Sequence, residues 1–379
     1  MGLHPKNLFL NRSIIEMIIM GFDEDVNVKD RKVEHIDIVL KDNPEYHIST
    51  WLEYVHLIHN SLPELSMDEL DTHVELFGQR FEYPILIDSM TGGGEDTDKI
   101  NRALAELAYE YNIPISCGSQ KAFLKYPELG YTYKVMREVS KDLFIIGNIG
   151  GQDLRSNPRE VVDKIVSLID ADALAIHLNP LQESVQLEGD RDFRGVIDAI
   201  AEVTEYLDIP VIVKETGAGI SYEVAKSLEA AGVSAVNVSG AGGTSWSAVE
   251  VLRSRRKMSE FYEVGSVYWD WGIPTAASII EVVNSVDIPV IASGGIRTGL
   301  DIVKSIVLGA DMAGLASPFL KALSKGEDSL RRYMEGLITQ LKIGMLLTGS
   351  KDISSLKEAK YVLLGPLKEW VIQRGVWNG

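Results

Sequence analysis

Cysteine is almost missing: Cys117 is the only one in 379 residues. A lone cysteine excludes an intrachain disulfide and a cysteine-built structural zinc site, and fits a reducing, cytosolic setting. Positive charge is also scarce, with 37 Lys and Arg against 55 Asp and Glu, a formal charge of −18 and an isoelectric point near 4.9. Such a field repels nucleic acid and anionic membranes, so an anionic ligand needs a local positive pocket. No apolar run approaches the roughly 20 residues of a membrane helix. The apolar patch Ile14 to Met20 is broken by Glu16, and no small-residue cleavage site follows it, so it reads poorly as a signal peptide. Residues 1–28 are expected to be an N-terminal extension, disordered unless docked, and 29–379 a single domain.

Hydrophobic content of 45% is enough to bury a large core. From Tyr83 onward, short runs rich in Val and Ile alternate with stretches of helical period, the pattern of βα units on a parallel sheet. Eight such runs occur: 84–89, 113–117, 143–148, 173–179, 210–215, 235–239, 289–294 and 312–316. Eight parallel strands close a (β/α)8 TIM barrel, an α/β fold, whereas an open doubly wound sheet would show an order reversal and a GxGxxG after its first strand. The first run lacks that motif. Before the barrel, residues 31–82 read as a charged strand, a helix around Trp51 to Ile58, and a hairpin, THVELFGQRFEYP, that closes the floor. After it come a long amphipathic helix over 327–347 and a helical tail over 353–374. More than thirty residues between Ser239 and Pro274, with Arg253, Arg255, Arg256, Tyr268, Trp269 and Trp271, read as a lid loop at the mouth.

Active sites of this fold sit at the carboxyl ends of the strands. Those ends are polar or glycine-rich: Ser89 to Gly93, Gly118 to Lys121, Gly147 and Asn148, HLNPLQE at 177–183, Lys214 and Glu215, SGAGGTSW at 239–246, SGGIR at 293–297 and GLAS at 314–317. Parity on the fourth strand turns Leu174, Ile176 and Leu178 toward the helices and Ala173, Ala175, His177 and Asn179 into the barrel. Gln182 and Glu183 lie on the loop above. One strand histidine is usually a satisfied core group, but four polar groups converging on a barrel mouth favour a functional role. The same logic turns Asn237 and Ser239 inward. Gly294, Gly295 and Ala316 end the last two strands, where backbone N–H groups and Arg297 suit a phosphate such as that of FMN, although glycines also simply permit tight turns. Lys214 suits the electron-rich edge of a flavin ring. Arg31, Lys32 and His35 are three donors close together, which in isolation describe a solvated charged strand.

RKxEH at 31–35, MTGG at 90–93, GSQ at 118–120, HxNxxQE at 177–183, SGxGGTSW at 239–246, WGIPT at 271–275 and SGGIR at 293–297 together resemble type 2 isopentenyl diphosphate isomerase, the FMN-dependent class. The resemblance runs from about residue 29 to the C-terminus. It implies FMN on Ser89, Met90, Thr91, Gly92, Ser119, Asn148, Lys214, Ser239, Thr244, Gly294, Gly295, Arg297, Ala316 and Ser317. It implies a diphosphate substrate on Arg31, Lys32, His35, Ser119 and Lys121, with Asn179 and Gln182 on the substrate side. His177, Gln182 and Trp246 would be catalytic, Glu183 would hold Mg2+, and NADPH would reduce the flavin. A homo-oligomer, tetramer or larger, is implied as well. Lys121 stands where the family commonly has arginine, which weakens bidentate phosphate recognition. The rival expectation is another FMN barrel, a 2-hydroxy acid oxidase or dihydroorotate-type dehydrogenase; no histidine follows His177 to pair with Arg297, as an oxidase would require.

Overall fold

The computed structural model describes residues 28–257 and 261–376. The expected N-terminal extension lies almost wholly outside them. Within them the chain opens with helix α1, Val28–Lys41, where a charged strand was expected. Ile36, Ile38 and Leu40 alternate as a strand would, but Val33, Ile36, Val39 and Leu40 also share a helical face. The segment is helical, and Val33, Ile36, Ile38 and Val39 are all buried in the core that the helix joins.

The helix expected around Trp51 is a second correction. A single 3-10 turn, Leu52–Tyr54, leads into strand β1, Val55–Leu57, which pairs antiparallel with a strand from the far end of the chain. Trp51 enters that turn at φ 62° and sets its ring edge-on to Trp370, centroids 5.7 Å apart. The following hairpin forms as expected, from β2, Val74–Leu76, and β3, Gln79–Phe81.

Eight strands then close a parallel barrel: β4 Ile85–Ile87, β5 Ile115–Ser116, β6 Ile145–Gly150, β7 Ala173–Leu178, β8 Val211–Glu215, β9 Ala235–Asn237, β10 Val290–Ser293 and β11 Met312–Leu315. All eight coincide with the apolar runs of the sequence. Alternation divides their side chains cleanly. Ile85, Ile87, Leu174, Ile176, Val236 and Ala292 pack outward on the helices, while Leu86, Ile146, Ala173, Ala175, Ile212, Ala235, Ile291 and Met312 fill the lower interior. Leu76 and Phe81 of the hairpin join that inner cluster and plug the floor.

Two helices, α2 Trp246–Arg256 and α3 Phe261–Ser266, occupy the stretch expected to be an open lid loop. Its arginines Arg253, Arg255 and Arg256 do not line the cavity at the mouth. Arg256 pairs with Asp37 at 3.0 Å and with Asp42 at 2.6 Å, fastening α2 to α1. Helix α4, Glu327–Thr348, follows the barrel. The expected continuous helical tail is instead a short helix, Ile353–Lys357, then β12, Tyr361–Leu363, then α5, Gly365–Arg374. Register Val55↔Leu363 ties this tail to β1. Among the described residues no helix is long and apolar enough to cross a membrane.

Candidate active site

The upper layer of the barrel interior is polar, because seven of the eight strands carry a hydrophilic residue two positions beyond the last inward apolar one, β11 having Gly314 there. Asp88, Ser116, Asn148, His177, Lys214, Asn237 and Ser293 all arise from that single rule. Their side chains satisfy one another. Asn237 Nδ2 donates to Asp88 Oδ2 at 3.0 Å, and Ser293 Oγ donates to Asn237 Oδ1 at 2.5 Å. Lys214 Nζ donates to the Glu215 carbonyl at 2.8 Å and stands 3.8 Å from Asp88 Oδ2, both side chains buried.

His177 is fixed by a chain of partners. Asn148 Nδ2 donates to Ser89 Oγ at 2.7 Å, which leaves Asn148 Oδ1 to accept from His177 Nδ1 at 2.8 Å. That bond assigns the proton to Nδ1 and makes Nε2 the acceptor. Burial, and then the charges of Lys214, Lys32 and Lys121, push the His177 pKa down to about 3. The imidazole is therefore neutral at physiological pH. Glu215 behaves oppositely: burial lifts it to about 7 although the Thr216, Gly217 and Ala218 amides all donate to its carboxylate.

Beyond β7 a second network crosses the mouth. Gln152 Nε2 reaches Asn179 Oδ1 at 3.4 Å, and Asn179 Nδ2 reaches Gln182 Oε1 at 3.3 Å and Glu183 Oε1 at 3.2 Å. Gln182 Nε2 donates to Glu250 Oε1 at 3.3 Å, and His35 Nε2 lies 2.9 Å from the same oxygen. Burial opposes ionisation of Glu250, but His35, Arg253 and the Gln182 hydrogen bond hold it down to about 2. Trp246 presents its ring edge-on to His35, centroids 5.3 Å apart.

Most of these groups line one cavity of about 430 Å³, well within the size of small-molecule sites, with Ser116, Glu215, Asn237, Glu250 and Arg253 behind its wall. It gathers Ser89, Met90, Ser119, Asn148, Lys214, Ser239, Thr244, Gly294, Gly295, Arg297, Ala316 and Ser317, and with them Lys32, His35, Lys121, His177, Asn179, Gln182, Glu183 and Trp246. Thr91 lies in a small adjoining cavity with Ile36, Val39 and Leu320. Gly92 is off the wall, and a Cβ there would strike the Tyr133 ring. The side chain of Arg31 lies outside the described residues. Lys121 is paired with Asp153 at 2.7 Å. Arg297 and Lys321 both donate to Glu45, at 3.2 and 2.8 Å. Burial works against Glu45, yet those two cations hold its carboxyl below the ordinary range.

The paired glycine runs have a structural task in addition. A Cβ on Gly294 would collide with the Gly240 backbone, and one on Gly243 with Gly295, so the loops after β9 and β10 pack backbone to backbone. Sequence reading missed Asp88, Glu250, Asp153 and Glu45. Asp88 was available from parity in ILID, and Glu250 from its place one turn beyond Trp246; Glu45 carries no local signal. Cys117 is buried, its thiol pushed up to about 12 by that burial, and it donates to Gln120 Oε1 at 3.6 Å.

An isopentenyl-diphosphate delta-isomerase from Pyrococcus abyssi is 46% identical over 353 residues, covering 91% of this chain and 95% of its own length. This chain belongs to the isopentenyl-diphosphate delta-isomerase family. Family members from Methanothermobacter thermautotrophicus, 44% identical over 92% of this chain and 97% of their own, and from Halobacterium salinarum, 46% over 94% and 99%, agree. The FMN-dependent dehydrogenase family matches residues 182–363 of this chain, from the segment after β7 to β12. Mandelate oxidase bound to (S)-mandelic acid superposes with a TM-score of 0.63 at 18% identity, over 94% of this chain and 99% of that one. A second mandelate oxidase structure, with (S)-2-phenylpropionate, gives 0.62 at 17%, over 89% and 99%. At such identities the likeness is one of fold.

Proposed function

We propose that this protein interconverts isopentenyl diphosphate and dimethylallyl diphosphate by an allylic proton shift, using reduced FMN and Mg2+, with no net redox change. The observation that carries the reading is the layout of the cavity. An uncharged polar patch, His177, Asn179 and Gln182, shares one cavity with Gly294 to Arg297, which would form one anion-binding end, and with Lys32 and Lys121, which would form another. One ligand bearing a phosphate and a second bearing a diphosphate would fill these two ends.

The residues fit FMN. The buried hydroxyls of Thr91 and Ser317 have no hydrogen-bond partner among the described residues, a deficit that polar atoms of a bound ligand would remove. Gly294, Gly295, Arg297, Ala316 and Ser317 would take the phosphate, and Ser89, Met90, Thr91, Ser119, Asn148, Lys214, Ser239 and Thr244 the rest. When bound and reduced, the flavin supplies a titratable ring nitrogen and an electron-rich face that favours a nearby cation. Lys214 balances negative charge there. Its Asp88 partner limits that balance.

The residues also fit one Mg2+. Carboxylates in the lining, Asp88, Asp153, Glu183, Glu188 and Asp190, are as numerous as cations, so a bare diphosphate meets no net positive charge. Among the described residues no three His, Cys, Asp or Glu side chains form a metal cluster. Glu183, its Oε2 oriented by the Asp190 amide at 2.8 Å, would be a single protein ligand, the coordination Mg2+ accepts when phosphate oxygens and water complete its octahedron.

An unactivated allylic C–H is too weak an acid for direct removal, so the terminal alkene carbon gains a proton first and C2 then loses one. The tertiary cation between these steps needs a site without a strong nucleophile. Neutral His177 and the amides of Asn179 and Gln182 offer dipoles there, and Trp246 offers a π-face that excludes water. Lys32 and His35 would hold the diphosphate. NADPH would charge the flavin without stoichiometric consumption, and the active form would be a cytoplasmic homo-oligomer of four or more copies, measurable by light scattering.

The test is an anaerobic assay with FMN, Mg2+, NADPH and isopentenyl diphosphate, following dimethylallyl diphosphate and NADPH together. Product in large excess over NADPH consumed is the expected result. Stoichiometric NADPH loss, or bound flavin without isomerisation, would return the oxidoreductase reading to first place.

A further inference from the structure

Arg253, in the last turn of α2, is 1% exposed. A guanidinium keeps its charge inside a protein, so burying one requires acceptors on every side. Three carboxylates from three separate segments supply them. Glu188, on the loop after β7, takes both terminal nitrogens, the Nη1 contact being 2.9 Å. Glu250, one turn earlier in α2, lies 3.3 Å from Nε, and Glu34 of α1 lies 3.7 Å from it.

Each of those carboxylates belongs to a different wall of the mouth. Glu34 sits between Lys32 and His35, both of which line the cavity. Glu250 accepts from Gln182 and faces His35. Glu188 continues the segment that carries Gln182 and Glu183. Helix α1 takes part in no strand ladder of the barrel, and Glu34, His35 and Asp37 tie it to Arg253, Glu250 and Arg256 of α2.

We propose that Arg253 is a positioning residue: it docks α1 and the loop after β7 onto α2, and so presents Lys32, His35 and Gln182 to the substrate. This rests on the reading of Lys32 and His35 as diphosphate-binding groups. Arg253 itself lies outside the cavity lining and acts through its carboxylates. The fork geometry matters, since Nε faces Glu250 and Glu34 while both terminal nitrogens meet Glu188, a spread that the compact ammonium of a lysine does not reproduce.

The experiment is amide hydrogen exchange on FMN-loaded R253M and R253K, with steady-state kinetics on isopentenyl diphosphate. R253M is expected to exchange the amides of residues 32–41 at least about tenfold faster while strands β4 to β11 keep wild-type protection. Its KM should rise at least about tenfold with the visible spectrum of bound flavin unchanged, and R253K should fall between R253M and wild type. Should R253M not fold, E34Q and E188Q cut the same clamp from its outer ends, and their combination is expected to release α1 in the same way. Unchanged exchange across 32–41, or equal acceleration throughout the barrel, would overturn the proposal. An exchange result of either kind stands whether or not the wild-type protein isomerises isopentenyl diphosphate, so the two readings fail separately.

Discussion

Replacing Lys214 with Met and Asp88 with Asn removes opposite charges from one buried layer, and the two changes should shift the potential of the bound flavin in opposite directions. Both side chains are buried and 3.8 Å apart. At twice that separation, with an effective dielectric near 20, a unit charge contributes about 2 kcal/mol to a neighbouring anion. For a two-electron couple that is about 40 mV. K214M withdraws a cation from the anionic reduced flavin, so its midpoint should fall by about 40 mV; D88N withdraws a competing anion, so its midpoint should rise by a similar amount. The double variant should return close to wild type. Anaerobic spectroelectrochemical titration reads all three. Shifts of the same sign, or a D88N potential equal to wild type, would refute the assignment of this layer to the flavin.

Three further outcomes follow from the same geometry. A Cβ on Gly150 would lie 3.2 Å from His177 Nε2 and 2.9 Å from Asp153 Oδ2, so G150A should cost about tenfold in kcat by displacing the imidazole, with FMN affinity unchanged; an unaltered kcat contradicts the role given to His177. His177, held near 3 in the fold and near 6.5 in the unfolded chain, contributes stability that is fully present above about pH 6.5 and drains as pH falls toward 3. Urea unfolding should therefore show wild type losing about 2 kcal/mol more than H177Q between pH 7 and 5, and equal losses would mean the imidazole is not held neutral. E183Q should keep its flavin yet lose nearly all magnesium-dependent turnover; retained turnover would move the metal elsewhere.

The barrel was legible because its strands are buried on both faces and read as short Val- and Ile-rich runs, each ended by a polar residue or glycine. Inward parity at 173–179 transferred directly to the structure, and the same rule applied to ILID would have exposed Asp88. What failed were segments whose state is settled by distant partners. Residues 33–40 carry both periods at once, and the helix they form joins the core. Strand β1 exists because β12 is there to pair with it, some three hundred residues later. The arginines at 253–256 read as part of an open lid because sequence shows charge but not its partners. Their carboxylates, Glu34, Asp37, Asp42 and Glu188, lie on segments far away in the chain.

The docking of α1 onto α2 also sets the order of events at the ribosome. Asp37 and Arg256 are 219 residues apart. At translation rates of about 5–20 residues per second, α1 waits roughly 10–45 s before its partner helix is made. The six barrel strands from β4 to β9 have been made by then, so the first described segment of the chain finds its place after most of the barrel has been synthesised. Until that moment the nascent protein holds a half-built bowl without Lys32 or His35 at its rim, and the cavity gains that wall only as α2 leaves the tunnel.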